Sequence, residues 1–241
     1  MGSKLKVSST WFGLPKEIAS ELFASTTLHC LKANETLFQT GDTGDGCYRL
    51  DSGMLKVILT SSQGEERIVA ILSPGAIVGD LAILDGLPRS ASVVALTDCE
   101  LCFVSRTNFE HYASQHPEIY RYLIKVLAAR LREAYDYIAS LAFLPAKGRV
   151  AHALLELAKT VGVETSSGEV LIPRMINQKG LAAIAGVARE NVNRVLNDFE
   201  RSKVVSKSSE AYRYRIDDKA KLEREVRLIA DRVPARLTLL T

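Results

Sequence analysis

The chain has 241 residues, 47% of them hydrophobic and 24% charged, which is typical of globular proteins and not of disordered ones. No apolar run is long enough to span a membrane, and no apolar segment follows the lysines of the first residues, so we expect no secretory signal and a cytoplasmic protein. The net charge of +3 is uneven, because residues 1–144 carry 13 Lys and Arg against 16 Asp and Glu, whereas residues 145–241 carry 18 against 12.

The first predicted elements are a short helix and a β-rich region. The helix covers residues 15–23, and Leu14, Ile18 and Leu22 share one of its faces. From residue 31 to residue 106, glycine recurs at positions 41, 44, 46, 53, 64, 75, 79 and 86, between short apolar or alternating runs at 47–50, 55–59, 68–72, 92–96 and 101–105. Short strands joined by glycine turns predict a β-sandwich or a barrel-like roll.

Four cysteines, Cys30, Cys47, Cys99 and Cys102, lie in or beside this region. Cys99 and Cys102 fall in an apolar run that is typical of a strand, where residues three apart point to opposite faces. A metal site needs ligands that converge, and the sequence offers no second cluster of Cys and His to join them. We therefore expect Cys99 and Cys102 to be buried structural thiols, and we expect no metal.

A long helix is predicted after Pro117, and no Gly or Pro interrupts it before Pro145. Its apolar residues are spaced alternately by four and three positions, as in a coiled-coil heptad: Tyr120, Ile124, Leu127, Leu131, Ala134, Ile138 and Leu141. Such a narrow stripe favours pairing with a second copy of the chain through the residues from Ile124 to Leu141. The alternative is a helix that packs on its own roll, which usually needs a wider apolar face.

The C-terminal part begins after a predicted hinge at residues 144–148, where Pro145 and Gly148 interrupt the pattern. A helix follows with Val150, Leu154 and Val161 on its inner face. The next predicted elements are a turn at 166–168, a strand at 170–172, two helices separated by residues 185–187, an apolar pair at 204–205, a polar turn at 206–210 and a strand at 212–216. This order predicts a winged helix-turn-helix. Residues 226–241 show only a basic tail.

The second helix of this motif has a buried face and a polar face. Val192, Val195, Leu196 and Phe199 are three or four residues apart and form the buried face. The opposite face carries Arg189, Glu190, Asn193, Arg194 and Asn197. Arg pairs with guanine, Glu accepts from cytosine and Asn pairs with adenine, so this face has the groups that read base edges in the major groove. A polar surface helix is the alternative, which the basic charge of residues 145–241 weakens.

Residues 179–194, KGLAAIAGVARENVNR, closely resemble the helix-turn-helix of the cyclic AMP receptor protein/fumarate-nitrate regulator (CRP/FNR) family of bacterial transcription regulators. The resemblance extends from about residue 11 to residue 218 and implies an α+β fold. Its expected parts are a jelly-roll β-roll sensor domain at 1–116, a dimerisation helix at 117–144, a winged helix-turn-helix at 145–225 and a tail at 226–241.

The resemblance also implies partners and DNA contacts. We expect a homodimer that binds palindromic double-stranded DNA and contacts RNA polymerase. Arg189, Glu190 and Arg194 form the pattern that members of the cyclic AMP receptor type use on TGTGA-like half-sites, and the resemblance implies that they contact bases. The fumarate-nitrate branch lacks an Arg at the place of Arg189, so we do not expect its half-site. The remaining expected DNA-facing residues are Asn193 and, near phosphates, Gln178, Lys179 and Lys207.

Residues 79–91, GDLAILDGLPRSA, resemble the phosphate-binding cassette of the same family. Backbone amides, an Arg fork and a hydroxyl can together hold a phosphodiester anion. The resemblance implies a cyclic nucleotide, cyclic AMP or cyclic GMP, bound by Val78, Gly79, Asp80, Leu81, Arg89, Ser90, Arg130, Ala134 and Tyr135. Arg89 would pair with the phosphate, Ser90 would hydrogen-bond it, and Asp80 would accept from the ribose 2′-hydroxyl. From spacing alone, Arg89 is equally well a surface charge or a partner of Asp80 or Asp85.

Two departures from the family pattern leave the ligand open. Asp80 stands where the cyclic-AMP-binding members usually have Glu, and Ala134 and Tyr135 stand where the cyclic AMP receptor has Thr and Ser against the base. Ala134 cannot hydrogen-bond a base edge, whereas Tyr135 can stack or donate. The alternatives are cyclic AMP bound differently, another cyclic nucleotide such as cyclic GMP, or a pocket that binds neither.

Three other functions fit less well. An iron–sulfur or haem sensor on the same scaffold needs a cysteine cluster or axial ligands, for which the N-terminal region offers His29 and Cys30. A regulator that needs no ligand is the second alternative. We expect no enzyme, because GxSxG, HExxH and Walker patterns are absent and the histidines at 29, 111, 116 and 152 show no metal spacing.

Overall fold

A computed structural model describes residues 15–23, 27–208 and 212–226 of the chain. The N-terminal elements are α1 (Lys16–Leu22), β1 (Thr27–Leu31), β2 (Thr36–Phe38), β3 (Gly46–Ser52), β4 (Leu55–Thr60), β5 (Glu66–Leu72), β6 (Ile77–Val78), α2 (Asp80–Asp85), β7 (Ser92–Ala95), β8 (Cys99–Ser105) and α3 (Arg106–Gln115). A long helix, α4 (Glu118–Phe143), follows. The C-terminal elements are α5 (Ala146–Val161), β9 (Val163–Glu164), β10 (Val170–Pro173), α6 (Gln178–Ala185), α7 (Arg189–Arg201), β11 (Val205–Lys207), β12 (Tyr212–Ile216) and α8 (Lys219–Val226).

The chain divides into two compact units, and the division falls inside α4, between Arg132 and Glu133. The first unit is the predicted β-roll, built from two antiparallel four-stranded sheets with the strand orders β1-β8-β3-β6 and β2-β7-β4-β5. Leu50, Leu55, Leu72 and Leu101 are fully buried between the sheets, because alternate residues of a strand point to the same face. The strands β1 and β2 were not predicted, since β1 buries almost none of its side chains and shows no clear alternation.

A second apolar cluster lies on the outer face of the β1-β8-β3-β6 sheet. Helices α1, α3 and the start of α4 contribute Leu22, Phe109, Ile119 and Leu123 to it. The short first helix is confirmed with Ile18 and Leu22 packed inward, whereas Leu14 lies outside the described residues. Helix α3 was not predicted; it begins at a cap in which Asn108 N–H donates to Ser105 Oγ, and it buries only Phe109 and Ala113.

The cysteine prediction is partly wrong. Cys99 and Cys102 do point to opposite faces of β8, and Cys99 is buried between the sheets. Cys102 is only half-buried, because it lies at the edge of the outer apolar cluster, where its thiol donates to Asp51 Oδ2 at 3.0 Å. Cys47 is buried and Cys30 is exposed, and none of the four cysteines forms a disulfide within the described chain.

The second unit has the expected winged helix-turn-helix order. The core of α5, with Val150, Leu154 and Leu157 fully or almost fully buried, packs against α6, α7 and α8. The antiparallel sheet β11-β12-β10-β9 forms the wing. One expectation fails here, and one helix was not predicted. Gly148 is not part of a hinge loop but lies inside α5, where an added Cβ would come within 3.0 Å of Glu225 O. Helix α8 was not predicted, because it buries only Leu222, and residues 227–241 of the expected tail lie outside the described part.

Candidate functional site

An open cavity in the first unit holds about 400 Å³ of unfilled space, including its mouth toward solvent. Seven of the nine residues expected to bind a ligand line it: Val78, Gly79, Asp80, Leu81, Arg89, Ser90 and Arg130. The turn from β6 into α2 supplies the first four, the segment before β7 supplies the next two, and α4 supplies Arg130. The remaining lining residues are Phe38, Val57, Ala82, Ala91 and Val93.

Arg89 is a buried cation in this cavity, and not a surface charge. Its Nη1 donates to Gly79 O at 2.8 Å and its Nη2 donates to Asp45 Oδ1 at 3.2 Å. The guanidinium carbon lies 4.3 Å from the centre of the Phe38 ring, a distance typical of a cation–π contact. Arg89 Nε is buried and has no hydrogen-bond partner among the described residues. A buried donor without a partner is costly, so this nitrogen fits an anionic ligand.

Position 79 requires a glycine, both because of its backbone conformation and because Arg89 packs against it. It has φ +84°, in the left-handed region that favours glycine. A Cβ at this position would lie 2.3 Å from Arg89 Nη1, so any larger residue would displace the guanidinium. The sequence motif that begins at Gly79 is therefore explained by close packing against the Arg.

Asp80 forms a buried ion pair with Arg130. Arg130 Nη1 donates to both carboxylate oxygens of Asp80 at 2.8 Å, and its Nη2 donates to Ile77 O at 2.8 Å. Asp80 keeps acceptor sites for the predicted contact with a ribose hydroxyl, since a carboxylate offers about four such sites. The earlier alternative, that Arg89 pairs with Asp80 or Asp85, is wrong, because the acidic partner of Arg89 is Asp45.

Two predicted ligand residues, Ala134 and Tyr135, do not line the cavity. They lie further along α4, in the second unit, and both are exposed in the single chain. Conversely, Phe38 and Asp45 contact Arg89 and were not predicted. They lie 51 and 44 positions before Arg89 in the chain, and no local motif marks either of them.

The predicted apolar stripe on α4 is exposed in the single chain. Ile124, Leu131 and Ile138 are each more than half exposed, and Ala134 and Leu141 are also exposed, while Leu127 is half-buried. A different stripe, Ile119, Leu123 and Val126, is buried within the first unit. Both stripes are therefore present on one helix, and no described residue packs over the exposed one.

Helix α6, a three-residue turn and helix α7 form the helix-turn-helix. Asn177 caps α6, since its Oδ1 accepts from Gly180 N–H at 2.8 Å. Gly186 ends α6 with φ +62°, and Arg149 Nη1 donates to Gly186 O at 3.2 Å. These contacts fix the turn that sets the start of α7.

Helix α7 separates its residues by face as predicted. Val192, Val195, Leu196 and Phe199 are buried, whereas Arg189, Glu190, Arg194 and Asn197 are exposed and Asn193 is half-buried. Arg194 Nη2 donates to Asn191 Oδ1, which holds the guanidinium along the helix. Arg189 and Glu190 lie in the first turn, where a recognition helix presents side chains to base edges.

Of the three residues expected near phosphates, two precede α7 in the sequence and one follows it. Gln178 and Lys179 form the first turn of α6, and Lys179 is exposed. Lys207 ends β11 in the wing, where its Nζ lies 3.3 Å from Glu200 Oε2. Its charge is therefore partly balanced within the chain.

The described residues contain no group of three or more His, Cys, Asp or Glu side chains that could hold a metal ion. In the same residues, no helix is both long and apolar enough to cross a membrane. Burial strongly raises the pKa of the Cys47 thiol, and burial also lowers the pKa of the His152 imidazole. Both changes favour the neutral form of these side chains.

Two family models match the chain, one in each unit. A cyclic nucleotide-binding domain matches residues 28–116, and a Crp-like helix-turn-helix domain matches residues 148–225. Among known proteins, a CRP-like cAMP-activated global transcriptional regulator from Mycobacterium tuberculosis is 34% identical over 164 residues, which cover 68% of this chain and 73% of that protein. The cyclic AMP receptor protein of Thermus thermophilus is 33% identical over 201 residues, which cover 83% and 89%.

The fold has close counterparts among solved structures. The structure of FixK2 from Bradyrhizobium japonicum matches with a TM-score of 0.72 and 21% identity, and the match covers 83% of this chain and 96% of that one. At this identity the likeness concerns the fold alone. The two relatives, each more than 30% identical, and the two family models are therefore the findings that identify the family of this chain.

Proposed function

This chain belongs to the CRP/FNR family of transcription regulators, and from that premise we propose that it is a homodimer that a cyclic nucleotide switches and that binds TGTGA-like palindromic DNA. It is a DNA-binding regulator with a cyclic nucleotide-binding domain. The finer statements, which concern the ligand, the dimer and the half-site, are the proposal.

The observation that carries the proposal is Arg89, a buried guanidinium with an unpaired Nε beside an open cavity. A cyclic nucleotide, cyclic AMP or cyclic GMP, would supply a phosphodiester anion. Arg89 would hold that anion, and the exposed Ser90 beside it would add a hydroxyl donor. Arg130 would keep the Asp80 carboxylate in place. The relatives from Mycobacterium tuberculosis and Thermus thermophilus are named for cyclic AMP, which supports this class of ligand.

The dimer is proposed from the exposed stripe of α4. An apolar stripe of this length on a soluble protein marks an interaction surface, and a heptad spacing suits a second copy of the same helix. The residues proposed for this interface are Ile124, Leu127, Leu131, Ala134, Ile138 and Leu141. In the dimer, Ala134 and Tyr135 of α4 would then be available to a ligand base, as the family resemblance implies.

The switch is proposed as a population shift. A ligand that binds one arrangement of the paired α4 helices more tightly would favour that arrangement. The short connection at Leu144 and Pro145 would then set the two copies of α7 about 34 Å apart, one turn of DNA. Arg189, Glu190, Asn193 and Arg194 would face base edges, and Gln178, Lys179 and Lys207 would approach phosphates. We extend the proposal to contact with RNA polymerase and to a cytoplasmic location.

One observation favours a second candidate, a regulator that binds DNA without a ligand. Both terminal nitrogens of Arg89 already donate to groups of the chain, and Asp80 is paired with Arg130. A pocket whose charges are balanced internally needs no ligand to neutralise them.

Titration of the purified chain with cyclic AMP and with cyclic GMP, followed by DNA binding with each, decides between the two. We expect one nucleotide to bind in calorimetry and to raise the affinity for a TGTGA palindrome over a scrambled duplex of equal length. Tight binding to the palindrome with no effect of either nucleotide would favour the second candidate. A monomer in sedimentation under every condition, or no preference between the duplexes at physiological salt, would overturn the proposal.

A further inference from the structure

The carboxylate of Asp45 pairs with one terminal nitrogen of Arg89, the residue that is proposed to hold the phosphate. Arg89 Nη2 donates to Asp45 Oδ1 at 3.2 Å, and this is the only acidic side chain among the described residues that pairs with Arg89. The two partners differ sharply in exposure: the side chain of Arg89 is 3% exposed and that of Asp45 is 69% exposed. Asp45 therefore approaches Arg89 from the solvent side.

The backbone around Asp45 cannot move away easily. Gly44 and Gly46 flank it, and an added Cβ would lie 2.1 Å from Ala82 Cβ at the first position and 2.2 Å from Val104 O at the second. Arg106 N–H donates to Asp45 O at 2.8 Å. These contacts hold the loop against α2 and β8, so the chain aims the Asp45 carboxylate at Arg89 and leaves only its side-chain torsions free.

The loop is also tied to the backbone of Arg89. Arg89 N–H donates to Asp42 O at 2.9 Å, and Gly41 N–H donates to Arg89 O at 2.8 Å. Arg89 itself is fixed by Gly79 O and by the Phe38 ring. Of the groups around this guanidinium, the Asp45 side chain is thus the one that can leave at low cost, because it needs only a rotation into water.

We propose that Asp45 is an internal competitor for the anionic ligand, which it mimics on Arg89 until the ligand displaces it. The inference rests on the proposed function, since it concerns the same pocket. A carboxylate and a phosphodiester each carry one negative charge, so the exchange leaves Arg89 with one anionic partner in both states. Asp45 thereby stabilises the empty pocket and lowers the apparent affinity for the nucleotide.

The test compares the full chain with Asp45→Asn and with Asp42→Asn by calorimetric titration with cyclic AMP and cyclic GMP. Asp45→Asn keeps the shape and removes the charge, so we expect about tenfold tighter binding of the nucleotide that the unmodified chain binds. Without ligand, the same variant should melt at a lower temperature, because the buried Arg89 loses its counter-ion. Asp42→Asn removes the same charge from the same loop, where the carboxylate accepts from Gln39 N–H and not from Arg89, so we expect less than about a threefold change.

The outcomes separate the two proposals. Nucleotide binding that Asp45→Asn leaves unchanged or weakens would overturn the inference and leave the proposed function standing, since Asp45 would then orient Arg89 or bind the ligand. Equal tightening in both variants would also overturn it, because the effect would be a general one of loop charge. Failure of all three proteins to bind either nucleotide would overturn the inference together with the proposed function.

Discussion

The cavity around Arg89 and the polar face of α7 use the same residue types in opposite ways. In the cavity, Arg89 and Arg130 are largely buried and are bound to Asp45 and Asp80, which come from distant parts of the first unit. On α7, Arg189 and Glu190 are exposed neighbours in one helical turn. A buried charge needs a partner within the protein, because it has lost its contact with water. An exposed charge is solvated by water and is accessible to a binding partner. The same kind of substitution should therefore act on folding in one region and on DNA selectivity in the other.

The largest effect is expected from Arg130→Met, which leaves Asp80 buried without its partner. Loss of one member of a buried ion pair typically costs about 3–5 kcal/mol of folding free energy. We expect a clear fall in the urea midpoint, measured at fixed protein concentration. Arg121→Met removes an exposed charge from the same helix and should change stability by less than about 0.5 kcal/mol. Equal midpoints for the two variants would contradict a structural role for the Asp80 pair.

Arg89→Ala should reduce nucleotide affinity next most strongly, by about a hundredfold or more, since several charge-assisted hydrogen bonds to the phosphate are lost. Nonspecific DNA binding should persist, because α7 is untouched. Calorimetry with the nucleotide and a filter assay on a scrambled duplex measure the two properties. Arg67→Ala, on the exposed end of the β4–β5 hairpin, serves as a matched control. Unchanged ligand affinity in Arg89→Ala would refute the phosphate assignment.

The two regions also differ in how far the sequence predicts them. The faces of α7 follow from spacings within 13 residues, so periodicity alone separates Val192 and Phe199 from Arg189 and Glu190. The wing and most roll strands are predicted for the same reason. The partners of Arg89 could not be predicted, because Phe38 and Asp45 reach it only through the folding of the roll, and charge gives no indication of which acid will be near.

Helix α4 shows a second limit of periodicity. The heptad stripe through Ile124, Leu131 and Ile138 is regular and was recognised, but the helix has another apolar face that packs in its own unit through Ile119 and Leu123. From the sequence, pairing with a second copy and packing on the roll are alternatives for this helix. The structure shows both stripes on this helix of 26 residues, one buried in the first unit and the other exposed.

Glu190→Ala tests the exposed region at the level of a single base pair. A carboxylate that accepts from cytosine N4 contributes about 1–3 kcal/mol of discrimination, so we expect the variant to lose its preference at one position of each half-site. Folding stability should stay within about 0.5 kcal/mol, since Glu190 is exposed. Competition among duplexes with single base-pair changes measures the preference. A uniform loss of affinity on all duplexes would mean that Glu190 does not read a base.

The smallest effect, and the most uniform one, is expected from Lys179→Ala. Lys179 is exposed in the first turn of α6, and a lysine that neutralises one phosphate adds about one released counter-ion to binding. The variant should weaken binding to every duplex by a similar factor and reduce the slope of log affinity against log salt by about one. Lys219→Ala removes an equally exposed charge from α8 and should leave the slope unchanged, because α8 is not part of the helix-turn-helix. A slope that falls equally in both variants would indicate that general positive charge, and not a located phosphate contact, attracts the DNA to this unit.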